Sequence, residues 1–403
     1  MNVLTFTTLW PNGERPNLGV FVKHRALALA QLAGVESLRV VAPVPYFPKQ
    51  LAFAFVPVQW RQMAGIAEQE TIAGLATFHP RFFNPPKAGM RWYGRWMARG
   101  ALPLLRRLHA ERPIDLIDAH YVYPDGEAAV RLGAALGVPV CVTARGTDIN
   151  LFSRLPHIRP LIERTLQRAQ GIIAVSAALK DRMVELGIAA DKIAVIRNGV
   201  DRQVFQWREQ LAAQQALGLN AADKILVTVS ALVPLKGIDR LIGAMRLVIQ
   251  TQPQARLYVL GEGPERASLT AQIAALGLQQ HVFLKGAQPQ AALPNWYAAA
   301  DVFCLASERE GCPNVVIEAL ACGAPVVASD VGGIGELVVD KRFGLLVPAS
   351  EANAVGLAQR LSQALTTDWQ REVIAAQGGA RGWTEVTEAV LADWAARAAK
   401  QLR

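Results

Sequence analysis

Short runs rich in β-branched residues alternate with longer stretches of helical period along nearly the whole chain. This alternation restricts the fold to parallel sheets wrapped by helices, because parallel neighbours need a crossover connection that a helix supplies. In the first half the runs are Val3–Thr7, Leu38–Ala42, Leu116–Ala119, Val138–Thr143, Gly171–Val175 and Ala194–Ile196. In the second half they are Ile225–Ser230, Arg256–Leu260, Val282–Lys285, Val302–Leu305, Pro325–Ala328 and Leu345–Val347. Between the two sets lies NGVDRQVFQWREQLAAQQALGL, polar and without a steady period, before a fresh strand-helix start at Lys224. That stretch reads as a linker between two doubly wound domains, 1–203 and 204–380, with 381–403 as a last amphipathic helix. A chain of 403 residues is long enough for such a division.

With 52% hydrophobic and 19% charged residues, disorder is excluded. The four cysteines, Cys141, Cys304, Cys312 and Cys322, have neither a zinc spacing nor the pattern of a secreted disulfide framework, so reduced thiols in a cytoplasmic protein are expected. The opening MNVLTFTTLWPNGERPNLG lacks the basic start of a signal peptide and reaches turn residues after one strand's length. No apolar run reaches the roughly 18 residues of a membrane span, so membrane contact is expected to be peripheral. The net charge of +9 is confined to the first half: residues 1–200 carry 24 Lys and Arg against 14 acids, leaving 18 against 19 for residues 201–403. No zinc-finger or RNP-type motif accompanies this excess, so nucleic acid is not an expected partner; an anionic membrane surface or a phosphorylated substrate fits it.

The stretch SEREGCPNVVIEALACGAPVVASD, Ser307 to Asp330, concentrates candidate chemistry. After the strand a loop leads to Pro313, predicted as the first helical residue, and the helix runs to Cys322 before Gly323 ends it. Free backbone N–H groups around Gly311, Cys312, Asn314 and Val315 would face the crevice beyond the strand's carboxyl end, where the helix dipole favours a phosphate. Glu310 stands before the helix and Glu318 about one turn inside it, placed to hydrogen-bond hydroxyls on either side of that phosphate, as a nucleotide sugar presents them. The plainer reading, acids complementing a helix dipole, stays open on these residues alone. His or Cys donors at metal-ligand spacing beside these two acids are not seen in the segment.

Glu310, seven intervening residues and Glu318, followed by ALACGAPVVASDVGGIGELV, resemble the donor-site signature of the retaining glycosyltransferases of family 4, whose two-Rossmann architecture is called GT-B. VSALVPLKGIDRLIGA, RLYVLGEGPER, VFLKGAQP and VIRNGVDRQVF occur in the family's order and spacing, so the resemblance runs nearly end to end. It implies two Rossmann-like domains facing across a cleft, with the C-terminal helix returning to the first. It also implies that Glu310 contacts the donor sugar's hydroxyls, that Glu318 contacts the ribose, and that the turn Gly332-Gly333 covers the donor. The chain departs from the family at Ala231, five positions before Lys236, where the usual residue is an Arg that grips the diphosphate together with the Lys. Arg197, in IRNGVD beside Asn198, is a candidate replacement, with a solvated surface Arg as the alternative. Gly263, in GEGPER, belongs to the same expected donor site, whereas Gly261 and Gly263 without a third Gly make a poor dinucleotide fingerprint.

The first domain is expected to take the acceptor. The resemblance places Gly19 and Lys23, in the loop and helix after the first strand, near the sugar and the leaving phosphate. It makes His120, at the end of a strand in IDAHYVYPDG, the site histidine, and it turns Asp148 and Arg145 of ARGTDIN toward the cleft. FVKHRALALAQL with ARGTDIN is similar to members that build surface polysaccharides such as teichuronic acid. From Lys87 to Pro113, Arg91, Arg95 and Arg99 recur every four residues beside Trp92, Tyr93 and Trp96, with Glu111 as the only acid. Such a helix either meets anionic lipid at the inner face of the membrane or buries its tryptophans in the core.

These readings give a retaining glycosyltransferase that moves a sugar from a UDP- or GDP-type donor to a glycan or lipid-linked acceptor. Lys236, Glu310 and His120 are its catalytic candidates. The nucleotide sugar is a co-substrate, and neither a cofactor nor an obligatory metal is expected. A sugar-nucleotide epimerase on the same fold and a non-catalytic carbohydrate-binding relative are the alternatives.

Overall fold

Every predicted run becomes a strand, shifted by no more than a residue or two at its ends. The computed structural model describes residues 1–47, 58–84 and 89–401; Lys87, which opens the basic aromatic segment, lies outside them. The strands of the first half are Asn2–Phe6 (β1), Ser37–Val41 (β2), Val44–Pro45 (β3), Gln69–Ile72 (β4), Leu75–Phe78 (β5), Arg81–Phe82 (β6), Leu116–His120 (β7), Val140–Ala144 (β8), Gly171–Ala174 (β9) and Ile193–Val195 (β10). Those of the second half are Lys224–Val229 (β11), Ala255–Leu260 (β12), Val282–Gly286 (β13), Val302–Leu305 (β14), Val326–Asp330 (β15) and Gly344–Pro348 (β16).

The chain forms two units, one of Met1–Asn198 with Trp383–Arg403, the other of Gly199–Gly382. The first holds an eight-stranded sheet in the order β10-β9-β8-β7-β1-β2-β5-β4, with the short pair β3-β6 beside it. All its neighbours are parallel except β4 and β5. Every residue of β7 and β8 is buried, as expected where helices cover both faces. The second unit holds a six-stranded, wholly parallel sheet in the order β13-β12-β11-β14-β15-β16. Its core gathers Leu226, Val259 and Val327 from the sheet with Leu241, Met245 and Leu361 from two covering helices.

Strand order reverses between β1 and β7 in the first unit and between β11 and β14 in the second. At such a point the two connections leave in opposite directions, and a crevice opens beyond the carboxyl ends of the strands. The loops after β1, β7, β11 and β14 therefore decide what each unit binds.

One stretch differs from expectation. The stretch read as an aperiodic linker contains the helix Gln210–Ala216. Its start, residues 199–203, belongs to the second unit, because the Val200 N–H donates to the Arg381 carbonyl and Arg202 donates to the carbonyls of Gly379 and Ala380. The division consequently falls after Asn198. The last helix, Trp383–Gln401, lies in the first unit, where Trp383, Val386, Val390 and Trp394 join Val22, Ala26 and Leu29 of the helix Val20–Ala30 in one apolar cluster.

Candidate functional site

In the second unit the loop after β11 ends in a tight turn at Gly237, with φ 61°, where a Cβ would stand 2.3 Å from the Ala306 carbonyl oxygen. Only glycine allows that approach. The Glu308 N–H donates to the Leu235 carbonyl at 2.9 Å, so this turn is docked on the loop after β14. The docking brings Lys236 Nζ to 2.6 Å from Glu310 Oε1, both side chains being largely covered. The helix begins one residue later than expected: Pro313 is the extended cap (φ −72°, ψ 111°), and Asn314–Ala321 is the helix, with Cys322 after it. Proline still suits the position, since it has no N–H to lose and its φ is already set. Gly311 and Cys312 are buried, Asn314 and Val315 partly exposed.

Gly332 closes over this loop with φ 57°, and a Cβ there would come within 2.0 Å of the Glu310 carbonyl oxygen. The N–H of Gly333 donates to the Gly311 carbonyl at 3.1 Å. The predicted Gly332-Gly333 turn thus lies on the backbone of Glu310 and Gly311. Gly263 makes a similar approach to Leu232, 2.3 Å from its carbonyl oxygen to an ideal Cβ, next to the exposed Ala231.

Glu318 sits one turn into the helix and accepts from the Tyr297 hydroxyl at 2.9 Å. Burial pushes its carboxyl up to about 7, although the Tyr297 bond acts in the other direction. A group so poised accepts a further hydroxyl donor readily. The sequence reading missed Tyr297, which lies in an apolar helix with no motif to mark it, and Arg240, whose guanidinium donates to Ala306 O (2.7 Å) and faces Glu308 at 3.8 Å.

In the first unit the loop after β1 reaches Gly19, with φ 61°, where a Cβ would lie 2.1 Å from the Leu9 carbonyl oxygen; the helix Val20–Ala30 starts there and carries the partly exposed Lys23 in its first turn. Asp125 anchors the same loop, accepting from the Thr8 N–H (2.6 Å), the Thr8 hydroxyl (2.9 Å) and the Thr7 hydroxyl (3.4 Å). Burial raises the Asp125 carboxyl to about 7 against those bonds. Asp148 serves the neighbouring loop: its carboxylate accepts from the N–H groups of Val122 (2.8 Å), Gly146 (2.7 Å) and Arg145 (3.2 Å), while burial raises its pKa. It is wholly buried and clamps backbone instead of presenting a carboxylate to a ligand.

His120 lies in a buried polar chain. Arg145 Nη2 donates to His120 Nδ1 at 2.5 Å, and since guanidinium can only donate, Nδ1 is the acceptor and the ring proton sits on Nε2. That proton is donated to Asp118 Oδ2 at 3.0 Å, and Asp118 Oδ1 accepts from Arg25 at 3.0 Å. Arg145 Nη1 donates to Asn198 Oδ1 at 2.9 Å, and its guanidinium lies 5.0 Å over the Phe21 ring. Burial, opposed by Asp118 and assisted by Arg145 and Arg25, lowers the His120 imidazole to about 4. Burial alone would raise the Asp118 carboxyl, but Arg25, then His120 and Arg145, outweigh it and hold the group at about 2. His120 is therefore neutral at pH 7 with both nitrogens engaged, and what it presents onward is the Arg145 head. Asp118 and His120 were findable together, being two apart on one strand face; Arg25 and Asp125 carry no local signal.

Arg197 and Asn198 close the first unit, Asn198 buried and Arg197 partly exposed. Along the Tyr93–Glu111 helix and the turn before it, Arg91, Arg95 and Arg99 are exposed, with Trp92 at 39% and Phe83 at 62%. Trp96 and Tyr93 are partly buried, and Trp96 meets the Phe83 ring edge-on at 5.1 Å. Among the described residues no group of three His, Cys, Asp or Glu is placed to hold a metal, and no helix is long and apolar enough to cross a membrane.

Residues 209–380 match the family described as Glycosyl transferases group 1, and residues 58–204 match Glycosyltransferase Family 4. The chain is 28% identical over 372 residues to the putative teichuronic acid biosynthesis glycosyltransferase TuaC of Bacillus subtilis, covering 91% of this chain and 88% of that one. Among solved structures it is similar to sucrose-phosphate synthase from Thermosynechococcus elongatus, with a TM-score of 0.79, 20% identity and 99% of each chain covered. It is likewise similar to HepE of Anabaena in complex with UDP, with a TM-score of 0.70, 22% identity, 98% of this chain and 100% of that one. Those two likenesses bear on the fold alone.

Proposed function

Because this chain belongs to the glycosyltransferases of GT-B fold, with a family 4 and a group 1 domain, we propose that it transfers a sugar, with retention at the anomeric carbon, from a UDP- or GDP-type nucleotide sugar to a glycan or lipid-linked acceptor. The observation that carries the reading is the Lys236–Glu310 pair at the N-terminus of the Asn314–Ala321 helix, with Glu318 one turn inside. The backbone N–H groups of Gly311, Cys312, Asn314 and Val315 and the Lys236 ammonium receive the diphosphate and stabilise the charge that develops on it as it leaves. Glu310 takes hydroxyls of the donor sugar and Glu318 those of the ribose. With Ala231 where the family has Arg, Lys236 and the helix N-terminus carry this work in the second unit. The departing diphosphate itself accepts the acceptor's proton on the front face, so neither a side-chain nucleophile nor a metal is required. In the first unit His120 acts as a positioning residue that holds Arg145.

The likeness to TuaC supports a place in surface polysaccharide synthesis. The exposed Arg91, Arg95 and Arg99 beside Trp92 and Phe83 support work in the cytoplasm against the anionic inner face of the membrane. Incubation with a panel of UDP- and GDP-sugars and candidate acceptors tests the reading. Nucleoside diphosphate should appear only when an acceptor is present, in EDTA as well as without it, and the product linkage should keep the donor's anomeric configuration by NMR. An inverted linkage, or release that ignores the acceptor, contradicts it.

A further inference from the structure

In the first unit one sheet face carries a polar patch beneath the helix Val20–Ala30. Asp118 and His120 lie two apart on β7, and the register sets His120 beside Thr143 of β8, so the three side chains share that face. They are at most 1% exposed, and Arg25, which descends from the helix, is 2% exposed. Arg25 Nη1 donates to the Thr143 hydroxyl at 2.8 Å and Nη2 to Asp118 Oδ1 at 3.0 Å, while His120 Nε2–H donates to Asp118 Oδ2 at 3.0 Å. Each carboxylate oxygen therefore serves one donor, and neither donor reaches bulk water. Arg145, on the other side of the ring, is partly exposed, and its Nη2 donates to His120 Nδ1 at 2.5 Å.

Which nitrogen of His120 carries the proton is decided by this contest for oxygens. A carboxylate has an acceptor for each neighbour, whereas a carboxamide has one oxygen and one NH2. With an amide at 118, Arg25 would keep the oxygen, because a buried cation that loses its acceptor costs far more than a neutral imidazole that loses one. The NH2 would then face Nε2, which would have to accept, and the ring proton would move to Nδ1. There it would meet Arg145, donor against donor, and Arg145, with solvent in reach, would turn away. We infer that Asp118 is a positioning residue for sugar transfer: a carboxylate shared between Arg25 and His120, it holds the ring proton on Nε2 and so keeps Arg145 turned toward the acceptor, a role that rests on reading the first unit as the acceptor's. Arg25 is the reason that an acid and no isosteric amide serves at this place.

Nitrogen-15 NMR of the full chain, labelled at histidine, tests it. His120 is one of six histidines and is identified by the signals that His120→Gln removes. In the parent, Nε2 should resonate as a protonated nitrogen and Nδ1 as a lone-pair acceptor. Asp118→Asn should exchange the two. Arg25→Met should leave them as in the parent, because the carboxylate still accepts from Nε2–H. Asp118→Asn combined with Arg25→Met should restore the parent pattern, since nothing then competes for the amide oxygen and methionine fills the volume. In transfer assays below the onset of melting, the acceptor KM should rise roughly tenfold or more in Asp118→Asn and return to within about threefold of the parent in the double variant. A parent ring with its proton on Nδ1 overturns the inference whether or not the variants fold. So does an Asp118→Asn ring that keeps Nε2–H, a double variant that stays inverted, or an inverted ring with an unchanged acceptor KM. The spectra need no substrate, so failure of the transfer reading, seen as a parent without turnover, is told apart from failure of the inference, seen in the spectra.

Discussion

Glu310 and Lys236 stand 2.6 Å apart, and Gln at 310 keeps the volume and an acceptor for the ammonium while removing the negative charge. Glu310→Gln should therefore preserve the fold and hold nucleoside diphosphate affinity within a few-fold, yet lower the transfer rate by roughly a hundredfold if the charge acts on the reacting sugar. Turnover equal to the parent's, with a verified donor and acceptor, would remove Glu310 from the site. Glu318 allows a test without any substrate. Its folded pKa, about 7, is raised above its ordinary 4.5, so the stability linked to its protonation is complete below 4.5 and is lost as pH rises through 7. Glu318→Gln keeps an acceptor for Tyr297 and has no charge to bury. It should melt with the parent at pH 4.5 and several degrees above it at pH 8, from on the order of 1–3 kcal/mol at about 2–4 °C per kcal/mol. A Tm difference that is the same at both pH values would mean that the carboxyl is not held protonated. These two acids and Lys236 were legible because each falls in a short stretch with its own local marks, the acids on either side of a Pro-opened helix start and Lys236 directly before a turn glycine. The chain Arg25–Asp118–His120–Arg145–Asn198 was legible only in part, since its members come from a helix, a strand, the residue after another strand and the residue just before the chain enters the second unit, and no local spacing encodes their meeting.

At the scale of elements, the strands that could be read were the buried ones, where β-branched runs are long enough to show a period. The hairpin β4-β5 escaped because its two-residue turn, Ala73-Gly74, puts alanine at φ 50° where Asn or Asp would have announced it. β3 and β6, two residues each, are too short to carry any pattern. The Asn314–Ala321 helix was legible to within one residue, and its function rests on a contact that sequence does not display, the Gly332 turn lying on Glu310. A Cβ at Gly332 would meet a backbone oxygen at 2.0 Å in a left-handed conformation, so one of the two loops must move. Gly332→Ala should cost about 1–3 kcal/mol of strain and weaken nucleoside diphosphate binding together with transfer, because the displaced segment is the one that carries Glu310 and Gly311. Parent-like binding and rate with a parent-like melting temperature would show that the turn does not position that segment.

At the scale of the molecule, the chain finishes by leaving the second unit and completing the first. Trp383–Gln401 contributes four large apolar side chains, each no more than 9% exposed, to the cluster around the Val20–Ala30 helix. At about 1.5–3 kcal/mol for each buried side chain, their sum is comparable to the net stability of a whole domain, about 5–15 kcal/mol. The first unit therefore depends on residues that are made after the whole of the second unit. Two units with separate cores should unfold in two transitions, and a nucleoside diphosphate that binds the second should raise that unit's transition. Trp394→Ala, in the full chain, removes one of the four and should cost about 3–5 kcal/mol. Calorimetry should then show one transition lowered by on the order of 10 °C, while the other stays in place and still rises with UDP or GDP. If the lowered transition were the one that responds to the nucleotide, the last helix would be stabilising the donor unit, and its assignment to the first unit would fail.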